Sequence, residues 1–364
     1  MMNLTEGTVA KILEQSDAMS VVLVQLAQGE FPAICYHRFT GTPQAGDRVV
    51  VNTTAMDLGL GSGGFHFVVY NQSRPFWGRQ EGPGHIMKLR YTPWQFRVLS
   101  VEEEKSPHRQ IMEEAASLEG MPVVVTLLHS HLTPAALALH WASQGQLRIV
   151  YIMTDGGALP LPFSRQVTEL KEKRIIAATI TAGHAFGGDL EAVNYFSALL
   201  AAKHALRADA AIIGMGPGHV GTNTPFGFSG LEQGQIVNAV AALDGKPVVA
   251  PRISFADPRP RHRGLSHHSQ TILKTVVLTT AWVALPRLPQ EQAQLVWQQI
   301  KKERLEDKFH FIEKDAAPLR EVMGRYAFDL SSMGRSYDED PAFFDAAWAA
   351  GLVAHDLHLA GHSK

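Results

Sequence analysis

Five short apolar runs in this sequence each end in residues that can do chemistry. Val123–Leu128 is followed by His129, Ser130 and His131, and Ile149–Met153 by Thr154, Asp155, Gly156 and Gly157. Ile175–Ile180 leads to His184 and Asp189, and Ala211–Ile213 to a glycine loop containing His219. Val248–Ala250 leads to Asp257, Arg259, Arg261, Arg263, His267 and His268. Two chemistries fit this set. The first is a metal centre. His129 and His131 are two apart, so an extended backbone turns both to one side. With Asp155 and His184, or Asp189 or the His267/His268 pair, they would make a nitrogen and oxygen shell for a divalent ion such as zinc or manganese. An open position on that ion would activate water. The second chemistry is a metal-free anion site. Arg252, Arg259, Arg261 and Arg263 crowd around Asp257, and guanidinium forks grip carboxylates and phosphates in pairs. His267 or His268, with Asp257, would then supply acid or base near neutral pH. The plainer reading stands beside both: imidazoles that cap or hydrogen-bond, and arginines that are solvated.

The loop from Ala210 to Gly234 is the densest of these stretches. Gly214, Gly216, Gly218 and Gly221 let a backbone approach a ligand closely. Together with His219, Thr222, Asn223 and Thr224 they suggest a cradle for phosphate, carboxylate or sulfate ahead of a helix that starts near Leu231. Dinucleotide binding is a weak match, because the third glycine of a G-x-G-x-x-G would fall on His219. The loop also lacks a Gly-Lys-Ser/Thr phosphate-binding signature. No Gly-x-Ser-x-Gly elbow occurs, and the lone Cys35 lies in a different part of the chain, so nucleophilic serine or cysteine catalysis is disfavoured.

The elements that must position these residues follow from periodicity. Residues 1 to about 100 read as short strands separated by turn signals, a small β-barrel-like domain. The glycine-rich piece Gly59–Gly64 reads as a bulge or corner, and 71–93 as an irregular connector. From about residue 101 to 364 the pattern changes. Continuous apolar runs alternate with helical patterns at 134–143, 164–173, 190–206, 231–243 and 290–305, and one further strand is expected over 275–284. Such alternation predicts a three-layer α/β domain, Rossmann-like, with a mainly parallel sheet. Ligands of open α/β sheets bind outside the carboxyl ends of the strands. Asp340-Pro341 reads as the start of a C-terminal helix.

Composition narrows the classes. The 364 residues are 45% apolar and 19% charged, with a net charge of −2. That balance fits a globular chain and carries no basic footprint for nucleic acid. One cysteine cannot build a disulfide framework within one chain. No signal-peptide pattern or bilayer-length apolar run is visible, so no membrane partner is expected and a cytoplasmic setting is the default. Self-association as a homo-oligomer is left open.

Three stretches, GMGPGHVGTNTPFGFSG at 214–230, DPRPRHRGLSHH at 257–268 and MGRSYDEDPAFF at 333–344, resemble a bacterial family known as a domain of unknown function. The resemblance runs nearly the full length and implies no reaction, cofactor or catalytic residue. From the residues alone, the expectation is an enzyme, a hydrolase or transferase for a small anionic or phosphorylated substrate at a sheet edge, with or without a metal. The alternative is a non-catalytic ligand sensor or assembly subunit.

Overall fold

The structure is a computed structural model that describes residues 2–61, 63–75 and 82–362. Ser62 in the glycine-rich piece, positions 76–81 of the connector and the two closing residues lie outside these. The described chain divides into two compact units, Met1–Gly82 with Leu89–Phe96, and Pro83–Lys88 with Arg97–Lys364.

The first unit is a closed barrel of five strands: β1 (Leu4–Gln15), β2 (Met19–Leu26), β3 (Gly29–Tyr36), β4 (Arg48–Asn52) and β5 (His66–Asn71). The order around the barrel is β1-β2-β3-β5-β4; β3 and β5 run parallel and the other pairs antiparallel. This is a Greek-key barrel of the OB type. Register shifts between Val9 and Lys11 and between Ile12 and Glu14 bend β1, so that its first half pairs with β4 and its second with β2. Alternation places Val9, Val22, Val24, Val49 and Val51 inside. Cys35 is buried there, and burial pushes its thiol up to about 11, the condition of an inert cysteine.

The second unit is built on eight strands: β6 (Pro122–Thr126), β7 (Ile149–Thr154), β8 (Ala178–Ala182), β9 (Leu190–Ala192), β10 (Ala210–Met215), β11 (Lys246–Ala250), β12 (Trp282–Pro286) and β13 (His310–Lys314). The sheet order is β9-β8-β7-β10-β6-β11-β12-β13, and every neighbouring pair is parallel. β6, β7, β8 and β10 are buried at every position, as strands covered on both faces are; β6, β7 and β10 are almost wholly apolar, while β8 buries Thr179 and Thr181 as well. The main helices are α1 (Leu132–Ala142), α2 (Arg165–Glu172), α3 (Tyr195–Leu200), α4 (Glu232–Ala242), α5 (His267–Thr271), α6 (Gln290–Lys302), α7 (Pro318–Tyr326) and α8 (Pro341–His362). α8 packs along α1 and over β6, β11 and β12, while α4 covers β6 and β11. Among the described residues no helix is long and apolar enough to cross a membrane.

Two sequence expectations differ from the structure. The stretch 190–206 is not one helix: β9 comes first, and Asn194 then caps α3 by accepting from Phe196 N and Ser197 N. The run 275–284 is not one strand, because a π-helical turn at Ile272–Val276 precedes β12.

What positions a site is the sheet order. The chain leaves β6 for β7 on one side, then returns as β10 between them and crosses to β11 on the other side. The carboxyl ends of β10, β6 and β11 therefore lie side by side at a topological switch point.

Candidate functional site

At the end of β6 the chain makes a 3-10 turn through His129–His131. His129 is tied down on both ring nitrogens: Nε2 lies 2.6 Å from Ser164 Oγ and Nδ1 3.3 Å from the carbonyl of Met215, the last residue of β10. His131 is fully buried, with its ring centroid 4.6 Å from that of Phe343, and neither ring nitrogen has a hydrogen-bond partner. Burial pushes His129 down to about 4. Burial, and then the charge of Arg252, pushes His131 down to about 3.

The segment after β11 folds into a hairpin. Ile253–Ser254 pairs with Gly264–Leu265, and a 3-10 turn at Pro260–His262 fills the bend. Ser266 closes the hairpin: its N–H donates to Arg252 O at 2.9 Å, and its hydroxyl caps α5 by accepting from His268 N. This geometry brings His262 onto the first turn of α5. The ring centroids of His262, His267 and His268 lie 4.3 to 4.9 Å apart. His219 joins them from the glycine loop, 5.4 Å from His268, and Phe228 stacks on His268 at 3.9 Å. Gly230 makes room for this: a Cβ there would stand 2.8 Å from His219 Cε1.

His219 Nε2, His267 Nε2 and His268 Nδ1 are buried atoms without a hydrogen-bond partner. His262 Nδ1 sits 2.8 Å from Ser266 Oγ. Burial is the first cause holding all four imidazoles neutral, and Arg252 adds to it in each case. His219 is lowered to about 4, His262 to about 3 and His268 to about 2. At neutral pH each of these imidazoles therefore keeps one ring nitrogen unprotonated, and a ring so hard to protonate is a poor general base. Among the described residues, the one group of three or more histidine, cysteine or carboxylate side chains placed to hold a metal is His262, His267 and His268, whose ligand atoms lie within 4.8 Å of one another.

Beside the imidazoles lies an ion network. Asp257 Oδ2 accepts from Arg252 Nη2 at 2.8 Å and from Arg259 Nη2 at 2.8 Å, and Arg259 Nε reaches Oδ1 at 2.9 Å. Arg335 stands 3.7 Å from Asp257 and 3.3 Å from Asp340. Asp340 also accepts from Ser254 Oγ at 2.6 Å, so its carboxylate serves this edge as well as preceding α8. Arg252 is 2% exposed; burial lowers it to about 10, still protonated at neutral pH. The bonds to Arg259 and the charge of Arg252 outweigh the burial of Asp257 and hold its carboxyl well below the usual range. Three guanidinium groups against two carboxylates leave the network with one excess positive charge. Arg252 Nε and Arg335 Nη2 are buried without a hydrogen-bond partner.

The structure gathers some of the sequence-predicted residues and separates others. His219, His267, His268, Asp257 and Arg259 belong to one neighbourhood. Arg261 and Arg263 are exposed. His129, His131, Asp155 and His184 do not form a ligand group: His129 is spent on Ser164 and Met215, and Asp155 accepts from the backbone N–H of His184 at 2.9 Å. Asp257 is engaged by arginines, which removes it from proton transfer. Gly214 and Gly216 lie buried at the end of β10, and Gly218 takes a φ of +106° at the start of the loop. The loop beyond closes on itself as a hairpin. Gly221 bridges to Phe228, Thr222 N donates to Gly227 O, and Gly227 N donates to Thr224 Oγ1. Thr222, Asn223 and Thr224 form its exposed tip, with several donors already used. Sequence reasoning missed His262 as a partner of His267 and His268, and Arg335. The signal for His262 is its spacing, five residues ahead of a His-His pair and just after the prolines at 258 and 260.

His267 also lines an open cleft of about 260 Å³, with Pro225, Phe226, Gln270, Thr271, Lys274, Thr275 and Glu303. Of the four imidazoles His267 lines this cleft, while its Nε2 is buried towards the cluster's interior.

The chain matches, over residues 32–351, the family described as Protein of unknown function (DUF3866), and it belongs to that family. No curated protein matches it.

Proposed function

We propose that this member of the family is an enzyme, a hydrolase or group transferase acting on a small anionic or phosphorylated molecule at the carboxyl edge of β10, β6 and β11. One observation carries the reading. Four neutral imidazoles, three with an unpartnered buried nitrogen, stand beside an arginine network with excess positive charge, next to an open cleft. Leaving several buried ring nitrogens without partners costs roughly 1–3 kcal/mol each. Such a cost is tolerated where the atoms have a ligand to meet. The excess charge of the network favours an anion, and the cleft beside His267 has room for a small molecule. In the reaction, water or another acceptor attacks the phosphoryl or acyl centre, the bond to the leaving group breaks, and the proton of the attacking group ends on the leaving oxygen.

The test is a turnover assay of the full-length protein on a panel of small phosphate and carboxylate esters. The expected result is hydrolysis or transfer of at least one class, abolished by His267→Ala with an almost unchanged melting temperature. Wild-type protein that neither turns over any of them nor binds inorganic phosphate would sink the proposal. A second reading, a non-catalytic sensor or assembly subunit, draws on the fact that Asp257 already occupies Arg252 and Arg259. Binding of phosphate without turnover of any ester is its signature.

A further inference from the structure

The geometry points to a mononuclear metal site of the zinc type, formed by His262, His267 and His268 with His219 as a fourth imidazole within reach. Four features of this cluster carry it. The three ligand atoms lie within 4.8 Å of one another. A tetrahedral ion with bonds of about 2.0–2.1 Å sets its ligands roughly 3.3 Å apart, so small ring movements complete the shell. His262 Nδ1 is committed to Ser266 Oγ at 2.8 Å, which leaves Nε2 as the donor atom. A second-shell partner of this kind fixes the tautomer of a metal-binding histidine. Ser266 is itself fully buried and held by the α5 cap, so the ring is aimed by the backbone. His267 Nε2, His268 Nδ1 and His219 Nε2 have no other partner.

An all-nitrogen set selects zinc, copper, iron or nickel over magnesium, calcium or manganese, which prefer oxygen. His267 also lines the cleft with Phe226, Gln270 and Lys274, so the site stands one side chain from solvent there. The neighbouring arginines favour hydroxide or an anionic substrate oxygen as the remaining ligand. The use of the ion in turnover rests on the reaction proposed above; its binding does not.

The experiment is a cobalt(II) chloride titration of untagged, chelator-stripped full-length protein, followed by visible absorption and calorimetry. The expected result is one ion per chain, nitrogen-ligated cobalt bands, and displacement by zinc. Ser266→Ala weakens binding about 10–100-fold, and His262→Ala, His267→Ala and His268→Ala weaken it further. His310→Ala, on an exposed strand position, leaves it unchanged. His267 is only part-buried, so its alanine variant decides the matter should either of the others fail to fold. Absence of uptake by the wild type, or uptake unchanged in His267→Ala, overturns the assignment. Cobalt bound as expected with no ester turned over leaves the metal site standing and removes the hydrolase or transferase reading. Turnover by stripped protein, with no uptake of cobalt, does the reverse.

Discussion

At the scale of single residues, the edge is held by charges that cannot be removed singly. Asp257→Asn leaves Arg252, 2% exposed, without its carboxylate. Breaking a buried pair in this way costs about 3–5 kcal/mol, and chemical denaturation should report a loss of that size. Arg259→Ala, whose guanidinium is half exposed, should cost under about 1 kcal/mol. The imidazoles predict acid sensitivity. His129 and His131 are held at about 4 and about 3, below the unfolded value near 6.5. A group with a lowered folded-state pKa stabilises the fold while neutral; that contribution is complete above about 6.5 and is lost as pH falls towards the folded value. Melting curves should therefore drop steadily between pH 6.5 and about 4. His131→Leu, which removes a titratable ring from an apolar site, should flatten that slope; an unchanged slope contradicts the assignment. At this scale the sequence disclosed His219, His267 and His268, because each follows an apolar run. It hid His262 and Arg335, whose partners are brought to them by a hairpin and by a distant segment, features without local periodicity.

At the scale of elements, the parallel sheet was legible because β6, β7 and β10 are buried on both faces and so carry unbroken apolar runs. The misreading of 190–206 has a physical cause. Leu190–Ala192 is a short edge strand whose residues also suit a helix, and the informative residue is Asn194, which caps α3. Asn194→Ala should lower stability by about 1 kcal/mol. The outer part of the glycine loop spends several of its amides on its own hairpin. Its contribution to the edge is to deliver His219 and Phe228. At its root, Gly214 packs directly on Thr126 of β6, where a Cβ would collide with the hydroxyl. Gly214→Ala should cost about 1–3 kcal/mol through overpacking, visible as a lower melting temperature with the fold retained.

At the scale of the whole molecule, the sheet unit is not continuous in sequence. It takes in Pro83–Lys88, a stretch that a change of pattern near residue 100 could not disclose. Lys88 is fully buried. Its ammonium donates to the carbonyls of Gly183 and Ala185 at 2.8 and 2.9 Å and pairs with Glu191 at 3.1 Å. Lys88→Met should destabilise the sheet unit by about 3–5 kcal/mol, because the carboxylate and both carbonyls lose their donor; protection of β8 and β9 in hydrogen exchange should fall with it. The order β9-β8-β7-β10-β6-β11-β12-β13 then explains why residues more than a hundred positions apart meet. Every strand points the same way, so the loops that leave β6, β10 and β11, which carry His129, His219 and His267, open on one edge. The most direct measurement is an anomalous diffraction map at the zinc edge, from crystals of the full chain grown with zinc and inorganic phosphate. One peak per chain bonded to His262, His267 and His268, with a phosphate oxygen on its open side, is the predicted result; no peak there, or a peak at His129 and His131 instead, would contradict it.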